Sequence, residues 1–157
     1  MTNKAPAESA VEQNVYKVFP NDLNSKYTVF GGLVMSLCDR TALIVAERHS
    51  GCACVTAALD SLQFLSAAKI GDTLIISAAV NRAWRTSMEI GVRVIAENSR
   101  TGESRHVVSA YLTFVALGED GRPSPVPGIA PTNDIERRRF DKAQDRREQR
   151  LADKRSD

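Results

Sequence analysis

The stretch FGGLVMSLCDRTALIVAERH, from Phe30 to His49, contains the longest apolar run of the chain. Nearly every position from 33 to 46 is apolar, which predicts a buried helix, and Gly51 suits the left-handed residue that commonly ends one. Asp39 lies in the middle of this helix, in the one sector that is not wholly apolar. Two interpretations of Asp39 stay open: a polar residue satisfied by a neighbour on the same helix, or a partly desolvated carboxylate that faces a cleft and activates water.

Gly31 and Gly32 open the predicted helix. The first N–H groups of a helix have no partner within it and carry the positive end of its dipole. Glycine also lets the oxygen of another molecule approach the backbone closely. The pair is therefore a candidate site for a carbonyl oxygen that becomes negative during a reaction. Because glycines also occur at helix starts for packing alone, this pattern does not by itself decide the function.

The composition is that of a globular protein with one domain. The chain has 157 residues, of which 43% are hydrophobic and 25% charged. No apolar run reaches the roughly 18 residues of a membrane span, and the polar N-terminus lacks the apolar segment of a secretory signal. We therefore expect a cytoplasmic protein that holds no metal and whose three cysteines are reduced thiols.

The distribution of charge argues against nucleic acid as the main partner. The net charge is +2, and residues 133–157 carry nine basic and seven acidic side chains, so the whole excess lies in this last segment. A basic stripe with interleaved aromatic residues, which is typical of nucleic-acid binding, does not occur in the sequence. We expect neither a nucleic acid nor a membrane as a partner.

The middle of the chain is typical of β-structure. Residues 14–19 predict a short edge strand, and residues 20–28 predict a loop because they are dense in Asn, Asp, Ser and Pro. A loosely alternating strand is expected at 54–65, followed by three long antiparallel strands joined by short turns at 73–84, 87–97 and 105–117. One buried helix with a run of antiparallel strands predicts an α+β domain over residues 14–117, in which the sheet wraps around the helix.

Three segments lie outside this domain. Residues 1–13 are expected to be disordered, and residues 118–132 form a linker rich in Pro and Gly. Residues 133–157 predict a charged helix with a weak apolar line. Two interpretations of this helix stay open: it lies on a surface of the protein or of a neighbouring subunit, or it is solvated and frayed.

Four segments together resemble a known family. They are PNDLNSKYTVFGGLVMSLCD (20–39), VTAALDSLQFLSAAKIGD (55–72), RTSMEIGVRVIAEN (85–98) and YLTFVALGEDGRPSPVPG (111–128). In order and spacing they resemble the hot-dog-fold acyl-CoA thioesterases, the branch with bacterial short- and medium-chain enzymes and vertebrate cytosolic acyl-CoA hydrolases. The resemblance covers residues 14–150. It implies a hot-dog fold, a long helix wrapped by an antiparallel sheet, and hydrolysis of fatty acyl-CoA to a free acid and CoA.

The resemblance also implies the assembly and the catalytic residues. Family members form dimers whose sheets join edge to edge, often assembled as trimers of dimers, with two active sites at each dimer interface. They need no metal or redox cofactor, since coenzyme A is part of the substrate. The implied catalytic residues are Asn24 and Asp39, contributed by different protomers, with Asp39 as general base or nucleophile and Asn24 orienting water or substrate. The amides of Gly31 and Gly32 would polarise the thioester carbonyl.

The same resemblance implies a path for the coenzyme. Thr86, Ser87 and Met88 match the family on a strand near the pantetheine chain. The CoA phosphates need basic partners, for which the candidates are Arg48, Lys69, Arg82 and Arg85, although each of these arginines could equally be an exposed surface residue.

The chain departs from the family pattern at three positions. Tyr27 and Trp84 stand where the family often has glycine, and Arg40 is larger than the residue expected beside Asp39. If either ring lines the acyl tunnel, the enzyme would favour short or medium acyl chains; alternatively, both rings pack elsewhere. Arg40 would either weaken Asp39 as a base or point away from it.

Two alternative functions share the same fold. A hydratase is disfavoured because the D-x-x-x-x-H pair of those enzymes is missing, since Ile44 is the fifth residue after Asp39. A protein that binds acyl-CoA without cleaving it, as a sensor or scaffold, stays as the alternative, although the presence of both Asn24 and Asp39 argues against it.

Overall fold

A computed structural model describes residues 1–156 of the protein. The apolar run forms α1 (Gly31–Ser50), close to the predicted bounds. Residues three or four positions apart along α1 are buried and give the helix one face toward the core: Val34, Cys38, Thr41, Ala42, Val45, Ala46 and His49. The helix ends at Gly51, which has the left-handed φ of 70° and whose N–H donates to the Glu47 carbonyl.

Five strands form one antiparallel sheet against α1. They are β1 (Val11–Lys17), β2 (Ala53–Phe64), β3 (Asp72–Ala83), β4 (Ser87–Asn98) and β5 (Ser104–Leu117). Their order across the sheet is β1-β3-β4-β5-β2, so that β1 and β2 are the edge strands. The inner face, toward α1, is built from alternate apolar residues, which in β4 are Met88, Ile90, Val92, Val94 and Ala96. The predicted α+β fold, a sheet around a long helix, is confirmed.

A second helix, α2 (Asp134–Ser156), packs on the outer face of the sheet. Glu89 points to this face because its two neighbours in β4 point inward, and it forms an ion pair with Arg146 of α2. Ala143 of α2 is fully buried. The helix expected over 133–157 therefore lies on its own domain instead of being solvated, although residue 157 itself lies outside the described residues. Neither of the two described α-helices is long and apolar enough to cross a membrane.

The first residues of the chain differ from the disorder expected for residues 1–13. Pro6–Glu8 form a short 3-10 turn, and β1 begins earlier than expected. The Nζ of Lys4 donates to the carbonyls of Arg48 and His49, at 3.3 and 2.9 Å, in the last turn of α1. A cation at the negative end of the helix dipole is stabilising. This long-range contact orders a segment whose polar composition alone predicts disorder.

The segment expected as a linker, residues 118–132, also lies against the domain. Val126 and Ile129 are buried in it. The N–H of Val126 donates to the carbonyl of Arg85 at 3.0 Å. The segment has no helix or strand longer than a single bridge, as its Pro and Gly content predicts, but it covers part of the core.

Candidate active site

Asp39 lies on α1 where the helix faces the edge strand β2. The hydroxyl of Thr56 in β2 donates to Asp39 Oδ1 at 2.6 Å. Asp39 is half-buried and Thr56 is exposed, so the pair lies at the surface of this chain rather than inside its core. Among the ion pairs of the described residues, none includes Asp39, and the neighbouring Arg40 is exposed. The carboxylate is thus oriented by a neutral hydroxyl and not neutralised by a cation.

Thr56 was not predicted from the sequence as a site residue. Its position depends on the pairing of β2 with β5, in which Thr56 lies opposite the fully buried Phe114 and therefore on the inner face with α1. The sequence around Thr56 alternates only loosely, so it does not specify this face. Thr56 is identified as a neighbour of Asp39 only when the register of β2 and the orientation of α1 are both known, and these are known only from the folded structure.

Cys38, next to Asp39, is not available as a nucleophile. The residue is fully buried on the core side of α1. Burial and, to a smaller extent, the nearby Asp39 charge together raise the pKa of its thiol to about 12. Because the thiolate is the reactive form of cysteine, this thiol is inert at neutral pH.

The entrance of α1 is shaped by two aromatic rings. A Cβ added to Gly32 would lie 2.5 Å from the ring of Phe30, so no larger residue fits there without moving that ring. A Cβ added to Gly31 would touch the ring of Phe64 in β2 at 3.4 Å. As the first two residues of α1, both glycines carry N–H groups that have no acceptor within the helix. These amides form a polar opening between two apolar rings, which suits a carbonyl oxygen on an apolar chain.

Asn24 holds together the loop that leads into α1. Its Oδ1 accepts from the N–H groups of Lys26 and Thr28 at 2.8 and 3.3 Å, and its Nδ2 donates to Thr28 Oγ1 at 2.9 Å. Within this loop Tyr27 has a φ of 60°, a left-handed conformation that is uncommon for a residue with a side chain. Tyr27 is 79% exposed in this chain. The loop is therefore tightly hydrogen-bonded around a strained residue.

The structure does not bring Asp39 to the helix entrance of its own chain. Asp39 follows Gly31 by eight residues, which places it about 12 Å farther along the helix axis. That separation exceeds the reach of a direct hydrogen bond or of one bridging water. The carboxylate and the glycine amides of one chain therefore do not meet at one point.

Comparison with known proteins identifies the family. The model of the thioesterase superfamily matches residues 27–103. An uncharacterized acyl-CoA thioester hydrolase of Bacillus subtilis is 41% identical over 120 residues, which cover 76% of this chain and 70% of that relative. The chain belongs to the thioesterase superfamily.

Solved structures of this superfamily share the whole fold. An apo hexameric acyl-CoA thioesterase superimposes with a TM-score of 0.93 and 37% identity, over 97% of each chain. An acyl-CoA hydrolase of Staphylococcus aureus, solved with butyryl-CoA, CoA and CoA disulfide, gives a TM-score of 0.91 and 38% identity over 98% of this chain and 93% of that one. The hot-dog fold predicted from the sequence is confirmed by these likenesses.

The Staphylococcus aureus enzyme is also known as three variants in which one asparagine, one aspartate or one threonine is replaced by alanine. Along that chain, the three replaced residues follow one another at the same intervals as Asn24, Asp39 and Thr56 follow one another in this thioesterase-superfamily chain. Two of these three positions were singled out from the sequence, and the third is the hydroxyl that the fold places against Asp39.

The remaining predicted site residues of this superfamily member are spread over the surface and the core. Ser87 accepts a hydrogen bond from Arg147 of α2 at 3.2 Å, and Thr86 beside it is half-buried. Met88 is fully buried, so it belongs to the core and contacts substrate only if the core opens. Arg85 is exposed next to Thr86.

The basic candidates for the CoA phosphates do not converge in one chain. Arg48 lies at the far end of α1, about 25 Å from Gly31 along the axis, and donates to the Ala10 carbonyl at 3.1 Å. Arg82 stacks on the ring of Phe140 at 4.0 Å. Lys69 is exposed and forms a β-bridge with Thr28, in the Asn24 loop.

Trp84 does not line a tunnel within this chain. Its indole N–H donates to Gln144 Oε1 of α2 at 3.0 Å, and the Arg147 guanidinium lies over its ring at 4.5 Å. The ring therefore packs elsewhere, at the end of the sheet under α2. Of the two bulky departures from the family pattern, only Tyr27 lies in the loop before α1.

Proposed function

We propose that this protein is an acyl-CoA hydrolase, which cleaves the thioester to a free acid and CoA. The observation that carries this proposal is Asp39, a half-buried carboxylate held at 2.6 Å by the Thr56 hydroxyl and without a cation partner among the described residues. The named activity of its relatives supports the choice of substrate. A thioester suits a site with one carboxylate, because its acyl carbon is electrophilic and a thiolate leaves readily.

Asp39 acts as the general base toward water or as the nucleophile. In the first case its free oxygen accepts a proton from water while the water oxygen bonds to the acyl carbon; in the second the carboxylate oxygen forms that bond itself. The C–S bond then breaks, and in the first case the thiolate of CoA takes up the proton that Asp39 accepted from water. In the second case the mixed anhydride of Asp39 and the acyl group is hydrolysed by water, which releases the free acid, restores the carboxylate and supplies the proton for the thiolate. The hydrogen bond from Thr56 to Oδ1 fixes the plane of the carboxylate, so that Oδ2 is presented to the reacting molecule.

We infer that the partner subunit supplies the rest of the site. The glycine amides of the partner would polarise the thioester carbonyl, and its Asn24 loop would hold water or substrate. The distance of about 12 Å between Asp39 and Gly31 along one helix supports this division. No metal or redox cofactor is needed for these steps, and coenzyme A enters as part of the substrate.

The edge strand β2 supports a dimer joined sheet to sheet. An edge strand offers a row of unpaired N–H and C=O groups to another chain. Large apolar side chains are exposed along β2 and the adjoining side of α1: Met35, Ile44, Val55, Leu59, Phe64 and Leu65. A second copy of this chain would cover them and complete the site at the same time. Three such dimers would form a hexamer, the assembly named for one of the similar structures.

The coenzyme would then run along the start of β4. Thr86 and Ser87 are the residues proposed to line the pantetheine chain, with Met88 beneath them in the core. Arg85 and Lys69 are exposed and free to meet phosphates. Arg48 and Arg82 would do so only on a CoA held mainly by another subunit, since each lies away from the α1 entrance.

A subunit-mixing experiment tests the proposal. Asn24→Ala and Asp39→Ala proteins are each assayed alone for thiol release from acyl-CoA across chain lengths, then mixed under conditions of verified subunit exchange. Each variant alone should be inactive. Random exchange should restore about a quarter of the wild-type activity, because half of the dimers are mixed and each mixed dimer has one intact site of two. Exchange without recovery would place each site within one chain, and wild-type CoA binding without thiol release would favour the sensor function instead.

A further inference from the structure

The charged helix α2 reaches the same strand that carries Thr56, but from the outer face of the sheet. Arg150 Nη1 donates to Asp60 Oδ2 in β2 at 2.6 Å and to Thr113 Oγ1 in β5 at 3.1 Å. The Thr113 hydroxyl donates in turn to Asp60 Oδ2 at 3.2 Å. The side chains of Arg150 and Asp60 are only 16% and 10% exposed. We call this closed set of three residues the clasp.

Asp60 is a bulge residue of β2. In the pairing of β2 with β5, Leu59 lies opposite Leu112 and Ser61 lies opposite Tyr111, so Asp60 is inserted without a partner. A second irregularity follows Thr56, where Ala57 is inserted in the same way. These two insertions, one on each side of a short paired stretch, set which residues of β2 face α1.

The register of β2 decides where Thr56 points. The side-chain period of a strand is two, so a slip of one residue turns every side chain to the other face. Thr56 must face inward to donate to Asp39 at 2.6 Å. Within one chain β2 has a neighbour on one side only, β5, so its register is less constrained than that of a central strand.

We propose that the clasp is a positioning device for the reaction: by holding the bulge at Asp60, Arg150 of the C-terminal helix sets the register of β2 and thereby the hydrogen bond from Thr56 to Asp39. The expected effect on kcat rests on the proposed hydrolase function, whereas the expected effect on the register of β2 does not. Arg150 and Asp60 are positioning residues, since they act through Thr56 and touch no reacting atom.

The test compares two ion pairs of α2. In the clasp variant (Asp60→Asn, Arg150→Met) the charges are removed together, so that no unpaired charge stays buried. The control variant (Glu89→Gln, Arg146→Met) removes the other pair, which joins α2 to β4 and makes no hydrogen bond to β2 among the described residues. Arg150→Lys is the conservative variant, because both bonds of the clasp come from one nitrogen, which a lysine replaces.

We expect the clasp variant to lose about 10-fold or more in kcat, while the control variant, compared at a temperature where both are folded, keeps the wild-type kcat. Arg150→Lys should keep most of the activity. Adding Thr56→Val should lower kcat in the wild-type background but have little further effect in the clasp variant, because the Thr56 hydroxyl is already displaced from Asp39 there. Equal kcat losses in the clasp and control variants, or an undiminished effect of Thr56→Val in the clasp variant, would overturn the inference.

Hydrogen exchange gives a readout that is independent of activity. The amides of residues 54–59 should exchange faster in the clasp variant than in the control variant or the wild type. If the wild-type protein does not hydrolyse acyl-CoA, the proposed function fails, but this exchange measurement still decides whether the clasp holds β2. Unchanged exchange at these amides in the clasp variant would overturn the inference.

Discussion

Two carboxylates on opposite faces of the same sheet have opposite surroundings. Glu89, on the outer face, is fully buried, and Arg146 bonds both of its oxygens at 3.0 and 2.7 Å while Asn81 donates to Oε1 at 3.0 Å. Asp39, on the inner side, is half-buried and receives its hydrogen bond from the hydroxyl of Thr56. One carboxylate is saturated by a cation and an amide, and the other is oriented by a neutral donor.

The difference in surroundings gives the two carboxylates different roles, a structural one for Glu89 and a chemical one for Asp39. A buried carboxylate whose oxygens are all occupied stabilises the packing of α2 but cannot accept a proton from a substrate. A carboxylate with a free oxygen at the surface of the chain can do so. The two helices follow the same division, since α1 packs largely through aliphatic side chains and α2 through contacts between arginines and aromatic rings. Arg146 and Arg147 of α2 lie over Tyr111 and Trp84, and Arg82 of β3 lies over Phe140 of α2.

The largest effect on the free energy of unfolding is expected from breaking the ion pair between Glu89 and Arg146. Arg146→Met leaves Glu89 buried without its cation and should lower the free energy of unfolding by about 3 kcal/mol. The matched control, Glu89→Gln with Arg146→Met, should lose clearly less because no charge is stranded. Chemical denaturation at equal protomer concentration measures both. Equal losses in the single and double variants would mean that Glu89 does not depend on Arg146 for its charge.

A smaller effect concerns backbone strain at Tyr27, in the loop that leads into α1. Tyr27→Gly should raise the free energy of unfolding by about 1 kcal/mol, because it relieves a left-handed φ that costs about 1–2 kcal/mol, less the extra entropy of glycine in the unfolded chain. Tyr27→Ala removes the same exposed ring but keeps the strained backbone, so it should show no such gain. Thermal denaturation of the two variants decides the point, and equal stabilities would show that φ at Tyr27 is not strained.

The smallest effect is a pH dependence of the free energy of unfolding, which comes from His49 at the buried end of α1. His49 is fully buried, its Nε2–H donates to the Pro127 carbonyl at 2.7 Å, and Nδ1 has no partner among the described residues. Burial lowers the pKa of His49 from its ordinary value of 6.5; the nearby Lys4 charge lowers it too, while the Pro127 bond and Glu8 oppose the shift.

Because the pKa of His49 is lower in the folded protein than in the unfolded chain, the unfolded chain binds the proton more tightly and acid lowers the stability. The His49 contribution is complete above pH 6.5 and falls as the pH drops below 6.5 toward the folded pKa, with a slope of at most about 1.4 kcal/mol per pH unit. His49→Gln keeps an N–H donor but cannot titrate, so its stability should fall less between pH 7 and pH 5. Parallel pH profiles of wild type and variant, measured by thermal denaturation, would contradict this assignment.

The helix and strands with a regular pattern of apolar residues could be predicted from the sequence. The apolar run gave the bounds of α1 within one residue, and the alternation in β3, β4 and β5 gave those strands closely. Disorder was expected for residues 1–13 because nothing local indicates that Lys4 reaches the end of α1. The sequence predicted α2 as a helix but not where it packs. Its few apolar residues contribute less to that packing than its arginines, whose partners lie far away in sequence.

The candidate site was predictable where it depends on one segment. Asn24, the glycine pair and Asp39 follow from the loop and helix and from the resemblance that these carry. Thr56 could not be found in this way, because two bulges, at Ala57 and Asp60, decide which face of β2 it occupies. Bulges leave little trace in the alternation of a single sequence.

The most direct test of the catalytic role of Asp39 is the kcat of Asp39→Asn, measured by thiol release from the best acyl-CoA substrate of the wild-type protein. The asparagine keeps an oxygen for the Thr56 hydroxyl, so the fold and its melting temperature should be unchanged. We expect kcat to fall by about 100-fold or more, the typical cost of losing a general base. A folded Asp39→Asn protein with more than about a tenth of the wild-type kcat would contradict the role given to this carboxylate.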